Sequence, residues 1–271
     1  MRFSLAYLTL PDCAPPEMIR IAARTGYDLV SLRTMRMGLA NEPNYDLSSD
    51  RELFRETRRA LSETGLGFHD IELARIAEGT VPAAYLPAFE AAAELGCEAI
   101  ISSVWTSERD FALEAFREIC ALARPLGLRV VLEFVPFAEI RTLAEALGFL
   151  DEAGVDDARL LVDTLHFHYS RSDLAVLEGP ARDRVGFVHL CDGPAAIPPT
   201  REGLIQVARG ARLYPGEGGI DLAAIVNRLP ELCYSIELPN LGRISELGLE
   251  GHARRCLETA KAYLAAHPRC D

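Results

Sequence analysis

Short apolar runs rich in β-branched residues alternate along this chain with longer stretches whose apolar positions recur at helical spacing. The runs at 2–8, 27–33, 67–73, 99–104, 129–134, 159–163, 185–190 and 233–238 predict eight strands. Each is almost continuously apolar instead of alternating in and out, as expected of strands covered on both faces. The intervening segments 15–24, 50–64, 83–95, 111–123, 143–153 and 244–266 predict helices. Several are punctuated accordingly, with Pro15 at a start and Gly26, Gly65, Gly96 or Gly154 just past an end. Two connections are less regular. Residues 172–177 predict a brief sixth helix, and 191–219 read as a long irregular stretch before a helical 220–229.

Repeated strand–helix alternation demands crossover connections and therefore parallel strands. An open doubly wound sheet competes, but eight units in 271 residues fit a closed (β/α)8 TIM barrel of the α/β class better. With no linker or internal repeat in view, residues 1–271 are expected to form one domain.

Four polar residues break this pattern. Glu133 in VVLEF, Asp163 in LLVDT, His189 in GFVHL and Glu237 in YSIEL each stand at the end of an apolar run. A buried carboxylate is costly unless something positive pairs with it. In a barrel, sequential strands are neighbours and active sites gather at their C-terminal ends. The four residues would thus form one arc over the fifth to eighth strands. Three carboxylates and an imidazole suit a single divalent ion, Mn²⁺, Mg²⁺, Co²⁺ or Zn²⁺, better than soft copper.

Composition removes several function classes. A formal net charge of −12 argues against a nucleic-acid grip, which needs a basic face. Lys261, in the C-terminal helical segment, is the single lysine, so Schiff-base chemistry in a pocket is excluded. Seven cysteines, at 13, 97, 120, 191, 233, 256 and 270, contain no C-x-x-C and point to a reducing compartment. The apolar start is stopped by Pro11 and Asp12, and no run reaches the ~18 residues of a membrane helix. The expectation is a cytoplasmic protein without a membrane or nucleic-acid partner, free to form a homo-oligomer.

At the same residues the chain resembles the xylose-isomerase-like TIM-barrel superfamily of sugar isomerases, epimerases and dehydratases, over essentially its whole length. The resemblance is carried by LEF at Glu133, VDTLH with Asp163 and His166, HLCD at His189, RLYPGEGGID from Arg212 to Asp221, and IELP at Glu237, in the family's order. It implies one divalent metal held by Glu133, Asp163, His189 and Glu237. It also implies that Glu133 and Glu237 act as acid and base on opposite faces of the substrate, and that His166 contacts a substrate oxygen. Glu139 matches a pocket glutamate of some epimerases. One departure matters. Where epimerases often place a Glu and then an Arg that hold the sugar, this chain reads HLCDGPAAIPPTR, which speaks against a ketohexose epimerase. The apurinic-endonuclease branch needs extra histidines, and the fourth strand ends in SSVW without one.

His69, Trp105 and Arg201 complete the candidate substrate contacts, with Tyr7, Phe134, Phe137 and Phe167 as aromatic residues near the mouth. His252 and His267 are expected at the surface. In PGEG, Glu217 is expected to pair with an arginine. Arg33, Arg36, Arg75, Arg201, Arg212 and Arg243 lie near predicted strand ends or in later loops. They are expected at the surface, but two of them facing the mouth would indicate an acidic substrate. A metal that polarises a carbonyl lets a carboxylate remove the α-proton and form an enediolate. Epimerisation, isomerisation and dehydration share that first step. The leading expectation is a metal-dependent isomerase or epimerase of a sugar or polyol. The alternatives are a dehydratase of a keto-polyol or keto-acid such as inosose or 3-dehydroshikimate, and a non-catalytic ligand-binding barrel.

Overall fold

The computed structural model describes residues 1–37, 42–179 and 181–269, so Cys270 lies outside the described residues. Eight strands close into a barrel in sequence order: β1 (Arg2–Leu5), β2 (Leu29–Arg33), β3 (Gly67–Ile76), β4 (Ala99–Val104), β5 (Arg129–Glu133), β6 (Arg159–Asp163), β7 (Val185–Leu190) and β8 (Cys233–Ile236). Every pairing is parallel, and closure comes from β1 against β8, from Arg2 opposite Cys233 to Leu5 opposite Ile236. The helices are α1 (Pro15–Thr25), α2 (Arg51–Thr64), α3 (Leu86–Glu94), α4 (Arg109–Ala123), α5 (Leu143–Ala153), α6 (Thr164–Tyr169), α7 (Arg201–Gly210), α8 (Leu222–Val226) and α9 (Leu241–Ala266). Their ends are chemically marked. Asp50 caps α2 by accepting from Glu52 N and Leu53 N, and Thr142 with Glu145 forms a capping box on α5.

The interior of the barrel explains where chemistry can occur. Leu29, Leu73, Ile101, Val131, Leu161 and Phe187 meet there in an apolar plug. Side chains two residues apart on a strand face the same way. The inward series therefore continues from Val131 to Glu133, from Leu161 to Asp163, from Phe187 to His189, and from Cys233 through Ser235 to Glu237. The apolar floor and the polar mouth are consecutive layers of the same strands.

Three connections differ from the sequence expectation. The sixth helix starts directly after β6, because the Asp163 carboxylate accepts from His166 N at 3.0 Å and caps it; the expected 172–177 segment is a 3₁₀ turn over Leu174–Glu178. The stretch 191–219 contains α7, begun by the Thr200 hydroxyl accepting from Gly203 N after the Pro-rich loop. β3 runs to Ile76, three residues further than expected, which changes the level of its side chains. The six cysteines among the described residues are free and buried, and no helix there is long and apolar enough to cross a membrane.

Candidate metal centre

Glu133, Asp163, His189 and Glu237 converge as the strand ends require, each offering a ligand atom within 4.8 Å of the others. His189 Nδ1 lies 3.4 Å from Glu237 Oε2, 3.6 Å from Glu133 Oε1 and 3.9 Å from Asp163 Oδ2. It is buried among three carboxylates and hydrogen-bonded to none of them, and its Nε2 and Glu133 Oε1 also lack partners. Buried polar atoms left in this way are costly. Ligands ~2.1 Å from one ion stand roughly 3.0–3.4 Å apart, and the donors here are spaced from that upper edge outward, so a bound ion would draw them slightly together. The donor set and its unmet hydrogen-bonding capacity therefore fit a divalent cation.

Arg212 is not where the sequence placed it. Expected at the surface, it is 1 % exposed, lines the cavity and sits against two carboxylates of the cluster. Its Nη1 donates to Asp163 Oδ2 at 2.6 Å and to the Glu237 carbonyl at 3.1 Å, and its Nη2 is 2.7 Å from Glu237 Oε2. Nε donates to Ala208 O at 2.9 Å in the last turn of α7. The irregular connection carries this guanidinium into the site. Asp192 folds it by accepting from the backbone N–H groups of Gly193, Gly216, Gly218 and Ile220 at 2.8–3.1 Å. A Cβ on Gly218 would stand 2.3 Å from Asp192 Oδ1, so glycine is required there. Glu217 pairs with Arg243 at 3.5 Å, as expected. The signal for Arg212 was present, since it opens RLYPGEGGID, but only the loop's path shows where it lands.

The charges are tuned unevenly. Burial pushes Glu133 up to about 7. Burial acts the same way on Glu237 but is outweighed by His189 and Arg212, which hold that carboxyl well below the usual range. Burial pushes His166 down to about 4, so it is a neutral imidazole at neutral pH.

A cavity of about 390 Å³ opens over this cluster. Glu133, Glu237, His166 and Trp105 line it, as expected, and so do Tyr7 and Phe137. His166 Nδ1 is buried without a partner, and its ring stands edge-on to Phe137 at 5.8 Å.

Three expected substrate contacts lie elsewhere. His69 packs edge-on against Phe187 at 4.6 Å, one layer below His189, and bonds Asp70 Oδ2 at 2.6 Å; because β3 is longer than expected, Glu72 takes the place at the mouth. Glu139 lines a separate hollow with Thr106 and Arg109, because its own N–H is held by Val104 O at 3.0 Å. Arg201 is exposed and donates to Phe137 O at 3.3 Å, whereas Arg209, two turns on in α7, reaches the cavity. His252 is fully buried, not exposed. Its two nitrogens are met by Tyr214 Oη at 2.8 Å and Leu238 O at 2.9 Å, which makes burial affordable.

Comparison with known proteins agrees with this fold. The family model described as xylose isomerase-like TIM barrel matches residues 19–258. Inosose isomerase of Bacillus velezensis is 24% identical over 240 residues, 84% of this chain and 82% of that protein. L-ribulose 3-epimerase of Mesorhizobium japonicum is 26% identical over 127 residues, 46% of this chain and 37% of its own. The crystal structure of the IOLI protein with a binding zinc atom superposes over 100% of both chains with a TM-score of 0.83 at 17% identity, a likeness of fold.

Proposed function

This chain belongs to the xylose isomerase-like TIM-barrel family, and from that premise we propose that it is a divalent-metal-dependent isomerase or epimerase of a hydroxy-ketone of sugar or polyol type. One observation carries the reading: the four strand-end ligands meet at the floor of a cavity, with Glu133 and Glu237 both lining it. A bound divalent cation would supply Lewis acidity toward the substrate carbonyl. Mn²⁺, Mg²⁺, Co²⁺ and Zn²⁺ all suit this donor set.

The chain's own residues account for the proton chemistry. Glu237, fixed by Arg212 and kept ionised, is the base that takes the α-proton. Glu133, the other carboxyl of the cluster that lines the cavity, returns a proton to the enediolate. Delivery to the same carbon inverts it, and delivery to the neighbouring carbon moves the carbonyl. His166, neutral and unpaired at Nδ1, hydrogen-bonds a substrate oxygen and fixes which carbon faces Glu237.

A second reading rests on Glu72. It is buried in the same cavity, and burial pushes it up to about 7, so it can protonate a departing β-hydroxyl and turn the same start into dehydration.

The test is solvent deuterium incorporation by the Mn²⁺-loaded protein across ketoses, inososes and keto-acids. Exchange at the α-carbon, lost by about 10²-fold or more in Glu237→Gln, is expected. Binding without exchange across the panel would replace the enzyme with a ligand-binding barrel. A new enone absorbance that depends on Glu72 would select dehydration.

A further inference from the structure

Asp12, Glu42, Glu72, Glu133 and Glu237 outnumber Arg33, Arg209 and Arg212 in the cavity lining, but not every base has an acid beside it. At its floor, the acids Glu133, Asp163 and Glu237 have Arg212 beside them and would be offset further by a divalent cation. Arg33 stacks on Tyr7 at 4.6 Å and faces Glu72 at 3.4 Å, so it too has an acid beside it. Arg75 and Arg209 do not. Among the described residues neither makes a salt bridge, and Arg75 Nε is buried without a hydrogen-bond partner. Arg75 lies flat on Trp105, 4.5 Å from the ring centroid, and Trp105 lines the cavity. Arg209 lines the same cavity from α7. Arg33, Arg75 and Arg201 are close enough that, after burial, they are what push the Arg209 guanidinium below its ordinary range.

Like charges held together without acids are a cost to the folded protein unless an anion joins them. The position of the pair is informative. Trp105 touches Phe137 at 6.0 Å between centroids, and Phe137 touches His166 at 5.8 Å. Arg75 is thus joined to His166 through two successive ring contacts along the cavity wall. We propose that the substrate carries an oxyanion, a carboxylate or a phosphate monoester, at the end remote from the metal centre, and that Arg75 and Arg209 receive it. This rests on the reading of the cavity as the substrate site, and it names the substrate class: an anionic hydroxy-ketone instead of a neutral sugar.

Three probes share one six-carbon polyol skeleton: sorbitol, gluconate and sorbitol 6-phosphate. Calorimetric titration into the Mn²⁺-loaded protein is expected to show at least one anionic probe binding about tenfold or more tighter than sorbitol. The advantage should shrink between about 0.05 and 0.5 M salt and vanish in Arg75→Gln and in Arg209→Gln. Arg209 is exposed and its side chain makes no hydrogen bond or salt bridge among the described residues, so its variant is expected to fold whatever happens at Arg75. Preference for gluconate identifies a carboxylate, and preference for sorbitol 6-phosphate a phosphate. Equal binding of all three overturns the proposal. So does an anionic advantage that survives both variants, because the anion would then be held at the metal. Binding needs no turnover, so a protein that passes this test but exchanges no α-proton keeps the anion subsite and loses the proposed reaction.

Discussion

Replacing Arg212 by Met keeps most of the stem volume and removes the charge. In the metal-free protein this leaves Asp163 Oδ2 and Glu237 Oε2 without their donors at 2.6 and 2.7 Å, both carboxylates being almost fully buried. Breaking a buried pair from one side costs about 3–5 kcal/mol, mostly the penalty of the stranded charge. For 271 residues the unfolding entropy is roughly 0.57 kcal/mol/K, so Tm should fall by about 5–9 °C in chelator. A divalent ion changes the result, because it becomes the counter-charge for the same two oxygens. Saturating Mn²⁺ should therefore stabilise Arg212→Met more than the wild type and recover over half of the deficit. Differential scanning calorimetry of both proteins, with EDTA and with Mn²⁺, measures all four values. A deficit that Mn²⁺ leaves unchanged, or no deficit in EDTA, would refute the assignment of Arg212 as the internal counter-ion of the metal cluster.

Two further outcomes test the surroundings. His69 is raised to about 10: burial pushes it down, but the bond to Asp70 outweighs this. Its folded value lies above its ordinary one, so its contribution is complete below about pH 6.5 and is lost as pH rises toward 10. Denaturant titrations of wild type and His69→Gln at pH 6, 8 and 10 should show a stability gap that closes with pH; a gap that widens would contradict the pairing. Gly218→Ala places a Cβ 2.3 Å from both Asp192 Oδ1 and Gly193 O, and should cost about 1–3 kcal/mol. Gly148→Ala, inside α5 with nothing within 4 Å, is the contrasting control and should gain about 0.5–1 kcal/mol in the same melting assay.

The sequence alone determined the barrel and the four strand-end side chains that converge at its mouth. Strand periodicity fixes which side chains point inward, and a polar residue ending an apolar strand has the barrel mouth as its natural destination. Glu133, Asp163, His189 and Glu237 needed no tertiary information beyond the order of the strands. His69 failed the same argument, because a strand three residues longer than expected puts it a layer too deep. Glu139 and Arg201 failed because they sit on loop and helix, where no two-residue period dictates direction. Arg212, Arg75 and Arg209 lay beyond sequence reasoning for the complementary reason. An arginine is long and ordinarily solvated, and its burial is decided by the acids, rings and carbonyls that distant segments bring to it. Only the closed barrel and the path of residues 191–219 place those partners.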